Sequence, residues 1–201
     1  MSTALPLPVL SSDPERRTWL LAAGVAGGVA ALGTALPLVS TLAPSERAKA
    51  LGAAVEVDIG DLPPGSAKTV EWRGQPVWVM HRTAAMLAAL RGHDAGLVDP
   101  QSSRSLQPAG AVNPARSLRP EIFVAVGICT HLGCSPTAVE AGGGHPGLPE
   151  DWSGGFFCPC HGSTFDGAGR VHRNKPAPTN LDVPPHRYVS ATRLVIGEDG
   201  A

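Results

Sequence analysis

All four cysteines of this 201-residue chain lie in two short runs, and each run also contains a histidine. The runs read Cys129-Thr130-His131-Leu132-Gly133-Cys134 and Cys158-Pro159-Cys160-His161-Gly162-Ser163. Two side chains separated by one or two residues can reach the same metal ion only from a tight turn. Gly133, Pro159 and Gly162 are typical turn residues, so we expect both runs to form loops.

These six thiol and imidazole groups are compatible with three kinds of site. A structural zinc site is one, although zinc modules usually present C-x2-C or H-x3-5-H pairs, whereas this chain has C-x-H and C-x2-H. A framework of disulfides is another, and it explains the even number of cysteines but not the histidine in each run. A mixed iron–sulfur site with two cysteine and two histidine ligands, together with one disulfide, is the third and uses all six residues.

The motifs C-T-H-L-G-C and C-P-C-H-G-S resemble those of Rieske [2Fe-2S] proteins, in which two cysteines and two histidines bind the cluster. The resemblance implies that the ligands of one [2Fe-2S] cluster are Cys129, His131, Cys158 and His161. It also implies a disulfide between Cys134 and Cys160, and therefore an oxidising compartment. Many ring-hydroxylating relatives lack this second pair, so the resemblance points to the quinol-oxidising complexes.

Three further positions bear on the properties of such a cluster. Ser163 matches the serine whose hydroxyl donates to a bridging sulfur in high-potential members and stabilises the reduced state. Phe165 stands where those members usually carry a tyrosine, and it cannot donate a hydrogen bond to the Cys129 sulfur. This departure points to a lower-potential quinone partner. Lys175 stands where a glycine commonly precedes P-A-P.

The N-terminal part contains an uncharged run, residues 18–42, between the pair Arg16-Arg17 and Glu46. As a helix, its 25 residues would extend roughly 37 Å, enough to cross a hydrocarbon core of about 30 Å with some tilt. We predict that this run is a transmembrane anchor and that residues 1–17 are cytoplasmic, because positive charge stays on that side. The paired arginines resemble a twin-arginine export signal. The C-terminal domain is then expected on the periplasmic side of the inner membrane.

A cleaved signal peptide is the alternative for this segment, since Ala48-Lys49-Ala50 resembles a small-x-small cleavage site. The apolar run is longer than the 7–15 residues of a secretory signal, and Rieske subunits of quinol-oxidising complexes typically keep it, so we favour retention. Residues 43–52 are small, polar and charged, and we interpret them as a flexible linker. In Rieske subunits the corresponding segment is the hinge about which the cluster domain swings.

The remaining residues, 53–201, are predicted to form an all-β domain. The whole chain has 24 Gly, 20 Pro and 16% charged residues, a composition that favours short strands joined by turns. The resemblance implies the Rieske fold of stacked antiparallel sheets, with a base domain and a cluster-binding subdomain at about residues 127–180. The net charge of −1 argues against nucleic acid as a partner.

Hydrophobic periodicity and turn residues predict a series of short elements in this domain. They are strands at residues 55–59, 69–72, 77–80, 122–126, 155–157 and 188–196, a hairpin turn at 73–75, a helix at 84–91 capped by Thr83, and a turn at 165–167. Residues 93–120 are polar and punctuated by proline, so we expect a long surface excursion. His81 and His93 lack cysteine companions, and we interpret them as solvated or structural side chains. His145 is interpreted as an exposed loop residue.

The similarity to the Rieske subunit of bacterial cytochrome bc1 complexes extends beyond the cysteine runs, to E-V-D-I, W-R-G-Q-P-V and A-P-T-N-L-D-V-P-P. It implies the electron-transfer subunit of a quinol–cytochrome c reductase, respiratory complex III, in a dimeric membrane assembly with cytochrome b and cytochrome c1. The electron would pass from ubiquinol through the cluster to cytochrome c1, with His161 contacting the quinol and accepting its proton. An arsenite-oxidase-like small subunit, which also has a twin-arginine signal and a Rieske cluster, is the alternative.

Overall fold

The computed structural model describes residues 13–142 and 144–198. The chain divides after Ala48, inside the predicted linker, into an N-terminal and a C-terminal unit. The N-terminal unit contains α1 (Pro14–Ser40), the one helix among the described residues that is long and apolar enough to cross a membrane. A six-residue helix, α2 (Glu46–Leu51), lies within the segment predicted as a flexible linker.

Helix α1 begins four residues before the predicted anchor and ends two residues before it. The Asp13 carboxylate accepts hydrogen bonds from the backbone N–H groups of Glu15 and Arg16, at 3.0 and 3.4 Å. Pro14 occupies the first helical position, where its missing N–H group has no cost. The aspartate cap and this proline therefore start the helix ahead of the paired arginines, which lie in its first turns.

The C-terminal unit contains three antiparallel sheets of three strands each among its described residues. The strands are β1 (Val55–Asp58), β2 (Ala67–Trp72), β3 (Gln75–His81), β4 (Ile122–Val126), β5 (Thr137–Val139), β6 (Gly155–Phe157), β7 (Thr164–Asp166), β8 (His186–Tyr188) and β9 (Arg193–Ile196). They pair in the orders β1-β9-β8, β2-β3-β4 and β5-β6-β7. Helix α3 (Ala84–Ala89) follows β3, and 3-10 turns occur at Asp94–Gly96 and Ala109–Ala111.

The sheet β2-β3-β4 has an apolar core on each face, because successive side chains of a strand point to opposite faces. Val77 and Val79 of β3 belong to a cluster, here called the base core, that also contains residues of β1 and β9. Phe123 and Ala125 of β4 belong to a second cluster, the site core, with Phe156 of β6. Every residue of β4 is therefore buried, and this strand leads directly to the first cysteine run.

Several local predictions are confirmed. The β2–β3 hairpin turns at Arg73-Gly74, where φ is +52° and +72°, as a two-residue hairpin turn requires. The hydroxyl of Thr83 accepts a hydrogen bond from the Met86 N–H at 3.2 Å and caps α3, which ends two residues earlier than predicted.

Two predictions near the C-terminus were wrong. Phe165 and Asp166 lie in β7 and not in a turn. Residues 188–196 form parts of two strands, because the chain turns at 190–192 and the Val189 N–H donates to the Arg193 carbonyl at 3.0 Å. Apolar and polar residues alternate on both sides of this turn, and this pattern led to the prediction of one continuous strand.

The surface excursion predicted for residues 93–120 is also contradicted, since Leu97, Asp99, Ala111 and Arg116 are buried. The Arg116 guanidinium donates to the carbonyls of Ala168 and Gly169 at 3.2 and 3.3 Å. Burial lowers the pKa of Arg116 to about 10, which leaves the group charged at neutral pH. Two charged residues of this stretch, Asp99 and Arg116, are therefore part of the interior.

Candidate metal centre

Two loops of matching backbone geometry carry the cysteines. In the first cysteine loop (residues 129–134), the Cys129 N–H donates to the Cys134 carbonyl at 2.7 Å, and the Gly133 N–H donates to the Cys129 carbonyl at 3.1 Å. The second cysteine loop (residues 158–163), between β6 and β7, repeats this arrangement. There the Cys158 N–H donates to the Ser163 carbonyl at 2.8 Å, and the Gly162 N–H donates to the Cys158 carbonyl at 2.9 Å.

Each loop is closed by a glycine in the left-handed region. The φ angles are +85° at Gly133 and +73° at Gly162, a conformation that L side chains rarely adopt. The first cysteine of each loop thus has the same backbone hydrogen bonds. Each of these cysteines follows a strand, β4 or β6, that contributes residues to the site core. This is the turn geometry expected from the residue types of the two runs.

The four predicted ligand side chains form two contacting pairs, Cys129 with Cys158 and His131 with His161, which differ in exposure. The thiols of Cys129 and Cys158 are 2% and 1% exposed, whereas His131 is half-buried and His161 is exposed. The two imidazole rings are in contact, with centroids 4.8 Å apart and planes at 89°. The structure therefore places two sulfur donors inside the domain and two imidazoles at its surface.

The Cys129 thiol lies beside Cys158, Ser163 and the backbone at His131. Burial is the main cause that raises the pKa of this thiol, and the neighbouring Cys158 thiol adds to the effect. The hydrogen bonds from the backbone at His131 and from the Ser163 hydroxyl act in the opposite direction. A site of this kind favours a neutral thiol unless a cation lies close to the sulfur.

The Nδ1 atom of His131 is buried and has no hydrogen-bond partner among the described residues. A buried ring nitrogen without a partner costs free energy in a purely structural role, and coordination to a metal removes that cost. Two adjacent buried thiols and this unpaired imidazole nitrogen are the donor types of a mixed cysteine–histidine iron–sulfur site. The residues present therefore fit a [2Fe-2S] cluster.

A disulfide joins Cys134 to Cys160 and so connects the two cysteine loops. The sulfurs of Cys134, Cys158 and Cys160 lie within 4.8 Å of one another. Because a disulfide sulfur is not a thiolate, Cys158 is the member of this group that can bind a metal. The bridge thus lies next to one candidate ligand without competing for the metal.

A third segment, residues 177–181, contacts both cysteine loops. The Thr130 hydroxyl donates to the Thr179 carbonyl at 2.7 Å, and the Ala177 N–H donates to the Ser163 hydroxyl oxygen at 3.1 Å. Ser163 is fully buried. The contact between Thr130 and Thr179 could not be predicted from the sequence, because a threonine in a loop gives no sign of the carbonyl to which its hydroxyl donates. Lys175, just before this segment, is exposed.

Three histidines for which the sequence predicts no ligand role, His81, His93 and His145, lie outside this group. The Nδ1 atom of His81 is 2.7 Å from the Leu62 carbonyl oxygen, and His93 is exposed. His145 is half-buried and not fully exposed as expected, since its ring packs against that of Phe157 with centroids 4.4 Å apart.

Phe165 is fully buried in β7 and belongs to the site core together with Cys129 and Cys158. We expect Phe165→Tyr to raise the reduction potential of the cluster, because a hydroxyl that donates to the Cys129 sulfur stabilises the more negative reduced state. Hydrogen bonds to charged groups contribute on the order of 1.5–3 kcal/mol, and a metal-bound sulfur is a weaker acceptor, so the effect should lie at or below the lower end. Voltammetry across pH measures the shift.

The matched control for this prediction is Phe157→Tyr. Phe157 is half-buried beside His145 and lies outside the site core. Its new hydroxyl should leave the potential unchanged. A potential that is unchanged or lower in Phe165→Tyr would show that the hydroxyl does not reach the sulfur.

Comparisons with known proteins agree with this geometry. The family described as "Rieske [2Fe-2S] domain" matches residues 99–185, which include both cysteine loops. The "Ubiquinol-cytochrome c reductase iron-sulfur subunit" of Allochromatium vinosum is 53% identical, over 92% of this chain and 89% of its own. The protein of that name from Bradyrhizobium diazoefficiens is 40% identical, over 93% and 97% of the two chains.

A plant relative, "Cytochrome b-c1 complex subunit Rieske-1, mitochondrial" of Arabidopsis thaliana, is 40% identical over 81% of this chain and 52% of its own. These matches select the iron–sulfur alternative over a zinc site or a framework of disulfides. The chain belongs to the Rieske [2Fe-2S] family and, within it, to the iron–sulfur subunits of ubiquinol–cytochrome c reductase.

Proposed function

We propose that this chain carries electrons from ubiquinol to cytochrome c1 within a dimeric cytochrome bc1 complex. The observation that carries the proposal is the contact between two imidazoles, His131 and His161, at the surface of a domain in which the candidate sulfur ligands Cys129 and Cys158 are buried next to each other. Burial keeps the two candidate sulfur ligands from water, and the exposed ring of His161 is accessible to a partner. Membership of the ubiquinol–cytochrome c reductase family supports the same assignment.

Cys129 and Cys158 would hold one iron of the cluster, and His131 and His161 the other. When bound, the [2Fe-2S] cluster supplies one-electron chemistry at a potential raised by the exchange of two thiolates for neutral imidazoles. The buried Nδ1 atom of His131, which has no hydrogen-bond partner among the described residues, supports this nitrogen as the proposed metal ligand. That assignment leaves Nε2 of the same ring for proton exchange at the surface.

His161 is the proposed contact with quinol, since its side chain is the more exposed of the two. Its outer ring nitrogen would accept a hydrogen bond from the quinol hydroxyl and then hold that proton. A histidine suits this step because the ring nitrogen that does not bind metal can exchange a proton at the surface. Proton and electron thus leave the quinol at the same place.

In this proposal α1 stays in the mature protein as a membrane anchor, with the span at about residues 18–42. Residues 1–17 face the cytoplasm, residues 43–52 act as the hinge, and residues 53–201 lie in the periplasm with the cluster-binding subdomain at about 127–180. The length and apolar composition of α1 support an anchor. The partners are cytochrome b and cytochrome c1.

We expect the mature protein in membranes to retain α1. N-terminal sequencing and intact mass of the chain purified from membranes should place its start before Pro14, and alkaline carbonate should not release it. The reason is that removing a long apolar helix from the bilayer exposes its apolar surface to water. A mature chain that begins near Leu51 would contradict this expectation.

Purification of the tagged chain from detergent-solubilised membranes tests the proposed function. Cytochrome b and cytochrome c1 should co-purify, and the preparation should reduce cytochrome c with a quinol as donor. The activity should be lost in a His161→Gln variant and kept in His145→Gln, a histidine outside the site. Co-purification with a large oxidoreductase subunit in place of the two cytochromes would contradict the proposal.

A further inference from the structure

One buried side chain, Asn180, joins the segment that contacts both cysteine loops to two other parts of the domain, while the Leu181 N–H of the same segment donates to the Gly169 carbonyl at 2.8 Å. Asn180 has no exposed surface. Its Oδ1 atom accepts a hydrogen bond from the Val171 N–H, and its Nδ2 atom donates to the Asp99 carbonyl and to the Ser102 hydroxyl, each at 2.9 Å. Both amide hydrogens are therefore used, and the orientation of the side chain is determined by its partners.

The turn that holds Nδ2 is itself well fixed. The Asp99 carboxylate accepts hydrogen bonds from the backbone N–H groups of Ser103 and Arg104 and from the hydroxyls of Ser103 and Ser105. Ser102 has a φ of +53°, a conformation that few residues other than glycine adopt without support from their surroundings. Asn180 is thus bound to a turn that is itself held by several hydrogen bonds to the Asp99 carboxylate.

On its other side, segment 177–181 reaches both cysteine loops through short hydrogen bonds. The Thr179 carbonyl, next to Asn180 in the chain, accepts from the Thr130 hydroxyl between Cys129 and His131. The Ala177 N–H donates to the Ser163 hydroxyl oxygen. The position of this segment therefore affects one residue in each loop.

The contact with Ser163 has a consequence for the cluster. Because the Ser163 oxygen accepts the Ala177 N–H, the proton of that hydroxyl is directed away from Ala177, and the hydroxyl contacts the Cys129 thiol. A donor aimed at a metal-bound sulfur stabilises the reduced cluster. The direction of the Ser163 O–H bond depends on the position of the Ala177 N–H group. Ala177 is three residues before Asn180 in the chain.

We infer that Asn180 is a positioning residue, which sets the reduction potential of the bound cluster by holding segment 177–181 so that Ala177 orients the Ser163 hydroxyl. The inference rests on the proposed function, since it concerns the cluster held by the two loops. Asn180 does not touch a ligand itself in any of its three side-chain hydrogen bonds.

A double-mutant cycle in the full-length chain in its native membranes tests the inference. Redox titration followed by the electron paramagnetic resonance (EPR) signal gives the potential of the parent, Asn180→Ala, Ser163→Ala and the double variant. Asn180→Ala should lower the potential while the signal amplitude stays at the parent level. In the Ser163→Ala background, the shift caused by Asn180→Ala should fall to less than half, because the group through which it acts is absent.

Asn113→Ala is the matched control. The Asn113 amide donates to the carbonyls of Gly110 and Ser117 and accepts from the Ala115 N–H, so a comparable number of bonds is lost away from segment 177–181. Its potential should equal that of the parent. If Asn180→Ala fails to accumulate, Asn180→Ser, which keeps an acceptor for the Val171 N–H, should show a smaller shift with the same dependence on Ser163.

The outcomes separate the two proposals. A normal parent signal with no shift in Asn180→Ala, or with equal shifts in both backgrounds, would overturn the positioning role alone. A parent chain that lacks the Rieske EPR signal would overturn the proposed function, and the positioning role with it.

Discussion

Replacement of Cys158 by serine is expected to abolish the Rieske EPR signal and the visible absorption of the purified chain. The same loss is expected for alanine or serine at Cys129, His131 or His161. Each loop supplies one buried sulfur and one imidazole, so no variant retains a complete set of four donors. Iron and acid-labile sulfide content, measured on the same samples, should fall together with the signal.

The structure provides a control for each type of change. His145→Gln removes an imidazole that packs against Phe157 outside the site, and it should leave the signal and the iron content unchanged. The loops themselves should survive loss of a ligand, because their closing hydrogen bonds come from the backbone. Far-ultraviolet circular dichroism should therefore remain near that of the parent. A normal EPR signal in Cys158→Ser would show that the ligand assignment is wrong.

Sequence alone predicted the parts of this domain that depend on local chemistry. Gly133 and Gly162 identified the two turns, and each has the left-handed φ that makes glycine necessary. The continuous apolar run of β4 predicted a buried strand before the first cysteine loop, and the structure buries all five residues. In both cases the residue types are compatible with few local structures: a glycine in such a run indicates a turn, and a continuous apolar run indicates a buried strand.

The features that sequence could not provide depend on distant partners. The charge of Arg116 and its polar neighbours predict an exposed side chain. Its guanidinium is instead buried and donates to the carbonyls of Ala168 and Gly169, more than 50 residues away in the chain. Asn180 lies in a stretch that resembles the family, but its contacts with Asp99 and Ser102 follow from tertiary packing. The hairpin at 190–192 was missed because its flanking residues continue one alternation.

Removal of the disulfide is expected to make the cluster loops the least stable part of the domain. The bridge joins residues 26 positions apart, and the loop-closure entropy of such a link corresponds to about 3.5 kcal/mol of stability. The base core contains no residue of either cysteine loop. We therefore expect the double variant Cys134→Ser/Cys160→Ser to keep its base sheets while it loses the cluster under milder conditions than the parent.

Urea titration with two probes measures this difference. In the parent, bleaching of the cluster absorbance and loss of the circular dichroism signal should nearly coincide, because the bridge ties the loops together until the domain unfolds. In the double variant, bleaching should occur at a clearly lower urea concentration than the loss of circular dichroism. The Cys158 sulfur lies within 4.8 Å of both bridge sulfurs, so movement of either loop displaces a candidate ligand. Coincident transitions at the parent midpoint, or two free thiols at these positions in the folded parent by mass spectrometry, would contradict a stabilising bridge.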